Sequence, residues 1–242
     1  AVTPRFAITT HPEVMRKSAL IGEKYGSFIQ THLSETTQEI EAVMDIYSSM
    51  PGFEKVKSYT EVYEKSGILG SKTIMGHGIY LNNKELDMLQ KTKTAIAHCP
   101  TSNAPLKDKG LGSGLFDLKK VLKANIRWAL GSDIGAGPYL SMVDVMNSFV
   151  SQHKKSSIAN YTMAFYRSTL AGESILQSDS KRGSFSSGKE GTFLCWSLQN
   201  ISSLKNKSSE DVLRKLFHIP KIRRADCVER CGEVYWQGNK LT

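Results

Sequence analysis

Three short segments of the chain each place an ionisable residue among small or apolar neighbours. They are Thr31-His32-Leu33-Ser34-Glu35, Gly76-His77-Gly78 and Gly131-Ser132-Asp133-Ile134-Gly135. Each follows a short apolar or β-branched run, at 27–31, 73–75 and 126–130, which is where a parallel barrel strand delivers a catalytic side chain. His, Asp and Glu are the ligands and proton carriers of a hydrolytic metal centre. The pattern therefore predicts the metal-binding part of a hydrolytic enzyme.

Each of these residues also has an ordinary structural explanation. His32 could be a surface loop residue, and Glu35 could lie beside it at a helix N-terminus, stabilised by the helix dipole. Glycines on both sides of His77 make a turn as readily as they let the backbone approach a ligand. Asp133 suits an Asx-turn or a helix N-cap. The order in which these residues follow successive strands is the stronger argument.

Repeated βα units are the elements that must position these side chains. Up to about Leu140 short apolar runs alternate with longer amphipathic stretches, which is typical of such units. We predict strands at 2–8, 27–31, 73–75, 94–98 and 126–130, and helices at 13–25, 37–48, 59–66, 84–92, 115–124, 141–152 and 161–176. Turn residues become frequent near Lys181, and strands are predicted at 192–197 and 232–238. The sequence thus predicts an α/β domain over 1–180 and a small β-rich appendage over 181–242.

Composition excludes several classes of protein. The 242 residues are 40% hydrophobic and 23% charged, as in a globular protein. No apolar stretch approaches the roughly 20 residues of a membrane span, and Arg5 and His11 interrupt any signal-peptide core. The net charge of +9 comes from scattered Lys and Arg without a nucleic-acid-binding motif, so we expect neither nucleic acid nor membrane as a partner. The four cysteines lack C-x-x-C spacing, which favours reduced thiols in a cytoplasmic protein.

Three other segments invite a functional interpretation. Cys99 follows His98, but adjacent strand residues face opposite sides and cannot form a catalytic dyad, so 97–103 is predicted to be structural or to shape a pocket. Arg5 and Phe6 could hold a planar heterocycle by hydrogen bonding and stacking, or Arg5 could be an ordinary surface residue. The Gly110–Gly114 segment is predicted to be a flexible loop, since no Gly-Lys-Ser/Thr ending marks a phosphate site.

Taken in order, the segments 3–6, 30–35, 76–78, 98–103 and 131–133 resemble the successive strand-end motifs of the amidohydrolase-superfamily deaminases, most closely the guanine deaminases. The segments 183–190 and 233–235 resemble that family's returning β-sandwich chain. The resemblance spans essentially the whole sequence. It implies a partial (β/α)8 TIM-type metal-dependent hydrolase barrel, holding the fourth to eighth strands, with part of a small β-sandwich.

The resemblance also implies the metal and the reaction. His32, His77 and Asp133 would hold one Zn²⁺, while Glu35, His77 and Asp133 would be the catalytic residues. Zinc would lower the pKa of its water, which attacks the amino-bearing purine carbon, and Glu35 would protonate the leaving amine. Guanine would become xanthine and ammonia.

The resemblance further implies a substrate pocket. Arg5 and Phe6 would hold the purine, and the substrate would also meet His32, Glu35 and Asp133. Arg5 and Phe6 together with the 32–35 segment favour guanine as the substrate. Two alternatives stay open: a related deaminase acting on an oxidised purine, a triazine or a pterin, and a non-catalytic interaction module that uses the basic surface.

The chain departs from the family pattern in one important respect. The His-x-His pair that the family's first strand contributes to the metal does not occur, and three strands are missing. We therefore expect that an upstream segment is needed to complete the site. If the 242 residues are the whole polypeptide, we expect weak or absent deaminase activity and poor metal retention. A homodimer is a further expectation.

Overall fold

The structure is a computed structural model that describes residues 1–197, 204–223, 225–231 and 233–237. Its contacts divide the chain into two compact units, Ala1–Pro138 and Tyr139–Thr242. None of the helices in the described ranges has the length and apolar character needed to cross a membrane.

Helices and strands alternate through the first unit. In chain order they are α1 (Pro12–Lys24), β1 (Ile29–Leu33), α2 (Thr37–Ser48), α3 (Tyr59–Lys65), β2 (Thr73–His77), α4 (Asn83–Thr92), β3 (Ala95–His98), α5 (Pro100–Asn103), α6 (Leu118–Lys123) and β4 (Trp128–Leu130), with a 3-10 turn at Leu106–Asp108.

The four strands of the first unit form one parallel sheet in the order β1-β2-β3-β4. Each strand is separated from the next by at least one helix, as a parallel connection requires. Leu33 pairs with His77, and His98 pairs with Leu130, so the carboxyl ends of the strands share one edge. The predicted α/β class is confirmed, and an open parallel sheet of this kind is consistent with part of a barrel.

Helix caps explain where two of the helices begin. Thr36 and Glu39 form a capping box at the start of α2, and Asn82 and Glu85 form another at α4. A capping box satisfies backbone N–H groups that the first helical turn leaves without partners. The Glu39 carboxylate also accepts a hydrogen bond from the backbone N–H of Glu35 at 2.8 Å. The cap of α2 therefore holds the backbone at the end of β1.

The core of this unit lies between the sheet and the inner faces of its helices. Many inward-pointing strand residues are buried, and so are the apolar residues on the inner faces of the helices. Burial of large apolar side chains is the main favourable contribution to folding. The core residues of strands and helices include Leu33, Met75, Ile96 and Trp128 from the sheet and Val43, Tyr47, Val62, Leu86 and Leu89 from the helices.

The predicted strand at 2–8 is wrong as a regular element. Only Val2 forms a bridge, with Ile29 of β1. Pro4 has no N–H to contribute to a ladder, and the chain turns at 7–9. The segment nevertheless lies alongside β1, because the backbone N–H of His32 donates a hydrogen bond to the carbonyl of Arg5 at 3.3 Å.

The predicted helix at 115–124 is shorter in the structure. α6 begins at Leu118 because the Asp117 carboxylate caps it by accepting from the Lys120 N–H at 3.0 Å. Phe116 instead packs in the interior. The short helix α5 lay within the predicted pocket-shaping segment but was not predicted as a helix.

The second unit has helices followed by a small sheet. Its elements are α7 (Met142–Gln152), α8 (Tyr161–Ser168), α9 (Leu170–Ile175), β5 (Thr192–Cys195), α10 (Ser209–Phe217), β6 (Cys227–Arg230) and β7 (Glu233–Gln237), with 3-10 turns at Lys154–Ser156 and Pro220–Arg223. β5, β6 and β7 form an antiparallel sheet.

Several sequence predictions for this unit need adjustment. The helix predicted at 161–176 is interrupted at Thr169, whose φ of −128° and ψ of −100° are not helical. α10 and β6 were not predicted. The last predicted strand corresponds to β7, but its bounding residues Gly232 and Gly238 lie outside the described residues. The domain boundary at 180/181 stays a prediction.

Candidate active site

Side chains that could bind a metal or carry a proton lie at one edge of the parallel sheet. His32 lies near the end of β1, His77 ends β2, Cys99 follows β3, and Asp133 lies three residues beyond β4. His77 and Asp133 both have left-handed backbones, with φ of 68° and 49°. A residue other than glycine adopts this conformation at an energetic cost, and such residues cluster at functional sites.

Glu35, His77 and Asn103 form a connected polar group. The Glu35 carboxylate Oε2 lies 3.6 Å from His77 Nε2, and Glu35 Oε1 accepts from Asn103 Nδ2 at 3.0 Å. Asn103 Nδ2 is also 3.1 Å from His77 Nδ1. The Asn103 Oδ1 lies 3.4 Å from the same Nδ1, so the side-chain amide of Asn103 faces this edge of the imidazole with both of its polar atoms. The opposite ring nitrogen of His77, Nε2, therefore faces Glu35.

A second donor reaches the same oxygen of Glu35. Oε1 of Glu35 accepts a hydrogen bond from Ser113 Oγ at 2.9 Å. Ser113 and His77 are buried, whereas the Glu35 side chain keeps 18% of its surface exposed. The carboxylate thus reaches solvent while its orientation is set by buried neighbours.

His32 is oriented by the backbone of the segment beside it. Its Nδ1 lies 2.6 Å from the carbonyl oxygen of Arg5. A carbonyl only accepts, so Nδ1 carries the proton and Nε2 is left with its lone pair. This arrangement is the one that suits an imidazole for metal ligation through Nε2. The His32 ring stacks on the His77 ring at a centroid distance of 5.2 Å.

Arg5 and Phe6 border the same group of rings. The Arg5 guanidinium lies 5.0 Å from the centroid of the Phe6 ring, and the Phe6 and His32 rings are 5.8 Å apart. Arg5 is exposed. The segment therefore offers a flat apolar ring and an adjacent cationic fork of hydrogen-bond donors.

Buried hydroxyl groups hold the backbone at Arg5 and His32 by hydrogen bonds. Tyr63 Oη donates to the carbonyl of His32 at 2.8 Å and contacts Thr31 Oγ1 at 3.0 Å. Thr31 Oγ1 donates to the Arg5 carbonyl at 3.1 Å. Burial raises the pKa of Tyr63 and of Tyr59, which lies against it. The two phenols thus stay protonated and can donate.

A metal-binding group is present among the described residues. One ligand atom each from His77, Cys99 and Asp133 lies within 4.8 Å of the other two. Imidazole, thiolate and carboxylate are the ligand types that zinc prefers, at about 2.0 to 2.3 Å from the ion. The donor set therefore fits a zinc ion. Burial, reinforced by the charge of Asp133, raises the pKa of the Cys99 thiol.

The structure brings the predicted residues together with one difference. His77 and Asp133 converge with Cys99, while His32, predicted as the third ligand, lies outside that trio and faces His77 ring to ring. His98 turns away from Cys99 and stacks on Phe116 at 4.1 Å. The ligand and catalytic roles of the predicted residues stay predictions.

Sequence reasoning missed two contributors. It treated the Gly110–Gly114 segment as a flexible loop, yet this segment supplies Ser113 to Glu35. It predicted that the segment around Cys99 is structural or shapes a pocket, and it did not include the thiol with His77 and Asp133 as a possible metal ligand. The glycine-rich composition signalled an unusual backbone but carried no information about which side chain the loop delivers.

Curated proteins with similar sequences include several guanine deaminases. Guanine deaminase from Escherichia coli (strain K12) is 35% identical over 224 residues, which cover 90% of this chain and 48% of that protein. Guanine deaminase from Mus musculus is 38% identical over 196 residues, which cover 78% of this chain and 41% of that protein. The chain spans about half the length of the curated relatives that it matches.

Solved structures similar to this chain also include guanine deaminases. E. coli guanine deaminase matches with a TM-score of 0.85 at 32% identity, covering 98% of this chain and 54% of that one. Guanine deaminase from C. acetobutylicum, determined with bound guanine in the active site, matches with a TM-score of 0.78 at 28% identity, covering 96% and 54%. The family model described as the amidohydrolase family matches residues 1–228. The chain belongs to the amidohydrolase family.

Proposed function

We propose that the protein to which this chain belongs hydrolyses guanine to xanthine and ammonia. The observation that carries the proposal is the Glu35 carboxylate held against His77 at the strand ends, beside the Arg5-Phe6 segment. The similarity to proteins named guanine deaminase supports the choice of substrate. The chain covers about half of those proteins, so the activity is a proposal for the complete site.

Arg5 and Phe6 would bind the purine. Phe6 offers a ring face on which a planar heterocycle can stack, and the exposed guanidinium of Arg5 can donate two parallel hydrogen bonds to acceptors on the purine edge. His32 borders Phe6, so a bound purine would also meet the imidazole. These contacts would orient the amino-bearing carbon towards Glu35 and Asp133.

Glu35 would handle the protons of the reaction. Its Oε1 is engaged by Asn103 and Ser113, so Oε2 is the atom that faces His77 and can exchange a proton. At this atom Glu35 would accept a proton from the attacking water and deliver it to the departing amine nitrogen. His77, whose Nε2 faces Glu35, would contact the same water. Asp133 would accept the second proton of that water and pass it to the ring nitrogen next to the amino-bearing carbon, so that xanthine and ammonia result.

We propose further that His32, His77 and Asp133 hold one zinc ion, next to Cys99. Zinc, when bound, supplies a Lewis acid that lowers the pKa of water. The unprotonated Nε2 of His32 supports its part in this set. An upstream segment would supply the remaining ligands.

Metal binding is tested without reference to activity. The 242-residue chain is titrated with Co²⁺ and with Zn²⁺, and the bound metal is read from the visible absorption of Co²⁺ and from elemental analysis. We expect weak binding, at least tenfold weaker in Asp133→Asn and unchanged in the exposed control Asp87→Asn. Equal binding by both variants would contradict the ligand role of Asp133.

The activity is tested on the natural polypeptide that contains this chain, with the 242-residue chain alongside. Ammonia and the deaminated product are measured for guanine, an oxidised purine, a triazine and a pterin. We expect xanthine from guanine, with Arg5→Ala lowering kcat/KM at least tenfold and the exposed control Arg16→Ala leaving it unchanged. Release of ammonia only from another heterocycle would refute guanine as substrate. Full turnover by the isolated chain would refute the need for an upstream segment.

Two further expectations accompany the proposal. The cysteines Cys99, Cys195, Cys227 and Cys231 are all free in the described part of the chain, which supports a cytoplasmic location because reducing compartments keep thiols reduced. A homodimer stays a prediction, for which light scattering of the purified protein is the measurement.

A further inference from the structure

We propose that Ser113 is a positioning residue for Glu35, delivered by a docked glycine loop rather than by a flexible one. The glycine loop is the Gly110–Gly114 segment. The proposal rests on the proposed function, because the orientation of Glu35 affects turnover only if Glu35 carries the proton.

The glycine loop is bound to α5 and to the residue that follows this helix. The backbone N–H of Leu111 donates to the backbone carbonyl of Ser102 at 2.7 Å, and that of Gly112 donates to the backbone carbonyl of Ala104 at 2.8 Å. A Cβ added to Gly110 would lie 2.2 Å from the carbonyl oxygen of Ala104. Only glycine permits so close a backbone approach. The glycine content, from which flexibility was predicted, is therefore what allows the loop to pack closely against Ala104.

The end of the glycine loop is anchored to the chain beyond β2. Tyr80 Oη donates to the Ser113 carbonyl at 2.7 Å. Gly114 has a φ of +135°, and a Cβ there would lie 2.4 Å from Tyr80 Oη. The backbone N–H of Tyr80 donates to the carbonyl of Ser34, the residue before Glu35, at 3.2 Å. Ser113 and Glu35 are thus tied to one common support.

Two donors from different segments then fix one oxygen of Glu35. Asn103 Nδ2 and Ser113 Oγ reach Oε1 at 3.0 Å and 2.9 Å. Hydrogen bonds to an ionised acceptor are shorter and stronger than neutral ones. A single donor would leave the carboxylate free to rotate about the remaining contact, whereas two donors hold the plane of the group. With Oε1 engaged, Oε2 is held towards His77.

The test compares three serine variants of the natural polypeptide that contains this chain. Ser113→Ala removes the donor and is expected to lower kcat on guanine about tenfold, with KM changed less than about twofold. Ser113→Thr keeps the hydroxyl and is expected to retain at least half of kcat. Ser66→Ala is the matched control, because Ser66 is also buried and donates one hydrogen bond, to Val62 at 2.8 Å. It is expected to leave kcat unchanged.

The outcomes separate positioning from other roles. Unchanged kcat in Ser113→Ala would overturn the proposal. A rise in KM with kcat unchanged would also overturn it, since that pattern indicates a substrate contact. An equal fall of kcat in Ser66→Ala would overturn it by indicating general loss of stability.

A crystallographic comparison keeps this proposal distinct from the proposed function. Crystal structures of wild type and Ser113→Ala are compared at Glu35, with the Asn103 contact as reference. We expect one carboxylate orientation in wild type and a rotated or second orientation in the variant. If the wild type does not deaminate guanine, the proposed function fails, and this comparison still decides whether Ser113 orients Glu35. An identical carboxylate in both crystals would overturn the positioning role.

Discussion

Replacing Asn103 by Asp is expected to convert the support of Glu35 into a repulsion that depends on pH. The substitution keeps the shape of the side chain but exchanges an N–H donor for a carboxylate oxygen. That oxygen would lie about 3.0 Å from Glu35 Oε1, where Asn103 Nδ2 now donates. Asn103 is buried, with 1% of its surface exposed, so water can screen the two charges only from the side of Glu35.

The size of the effect follows from this distance. Two unit charges about 3 Å apart at an effective dielectric constant of about 20 repel by about 5 kcal/mol. For a chain of this size about 5 kcal/mol corresponds to a fall in Tm of about 10 to 20 °C. At pH 5 the cluster of the variant can bind a proton, which restores a donor between the two carboxyl groups. The folded variant then binds more protons than its unfolded chain, so its stability rises as the pH falls from 8 to 5.

The assay is thermal unfolding of the 242-residue chain at pH 8 and pH 5, followed by circular dichroism in the presence of EDTA. Asn125→Asp is the matched control, because Asn125 is exposed and has a φ of 51°, which Asp also tolerates. We expect the control to differ from wild type by less than about 1 kcal/mol at both pH values. The reasoning is refuted if Asn103→Asp loses the same Tm at pH 5 as at pH 8, or if its Tm equals that of the control.

Three further predictions concern stability and use the same unfolding assay. Gly114→Ala is expected to lower the free energy of unfolding by about 3 kcal/mol, because its Cβ would collide with Tyr80. The control Gly172→Ala, where the Cβ would enter open space, should be neutral or stabilising. Equal Tm values for the two variants would contradict the docking of the glycine loop. Burial raises the pKa of Tyr47 to about 12, so the folded state keeps a proton that the unfolded chain loses above about pH 10. Stability should therefore fall between pH 10 and 12, and the fall should be smaller in Tyr47→Phe; a parallel fall in both proteins would count against this. Thr36→Ala should cost about 1 kcal/mol by removing the capping box of α2, and an unchanged Tm would argue against that cap.

Local patterns were sufficient for most of the sheet and several helices. The helix predicted at 37–48 has these bounds in the structure, because its capping residues and its apolar spacing agree. His77 was predicted to follow a strand because Gly-His-Gly comes after an apolar run, and it is the last residue of β2. In both cases the deciding interactions lie within a few residues of each other in sequence.

The parts that sequence reasoning missed depend on distant contacts. Ser113 and Glu35 are 78 residues apart in sequence, and nothing near Ser113 indicates which carboxylate it meets. Cys99 joins Asp133 only because β3 and β4 are neighbours in the sheet. The predicted strand at 2–8 failed because its apolar residues resemble a strand while Pro4 cannot complete the ladder. Tertiary packing, rather than local preference, decided each of these points.

The order of the parallel sheet has a consequence for how the protein is made. Each strand from β2 to β4 pairs with the strand that immediately precedes it in the chain. As the chain leaves the ribosome, β2, β3 and β4 therefore each meet a partner in this sheet that has already been synthesised. Loss of residues from the β4 end would remove one edge strand at a time and leave the earlier pairs intact. Loss of β2 would instead leave β1 and β3 without the strand that joins them.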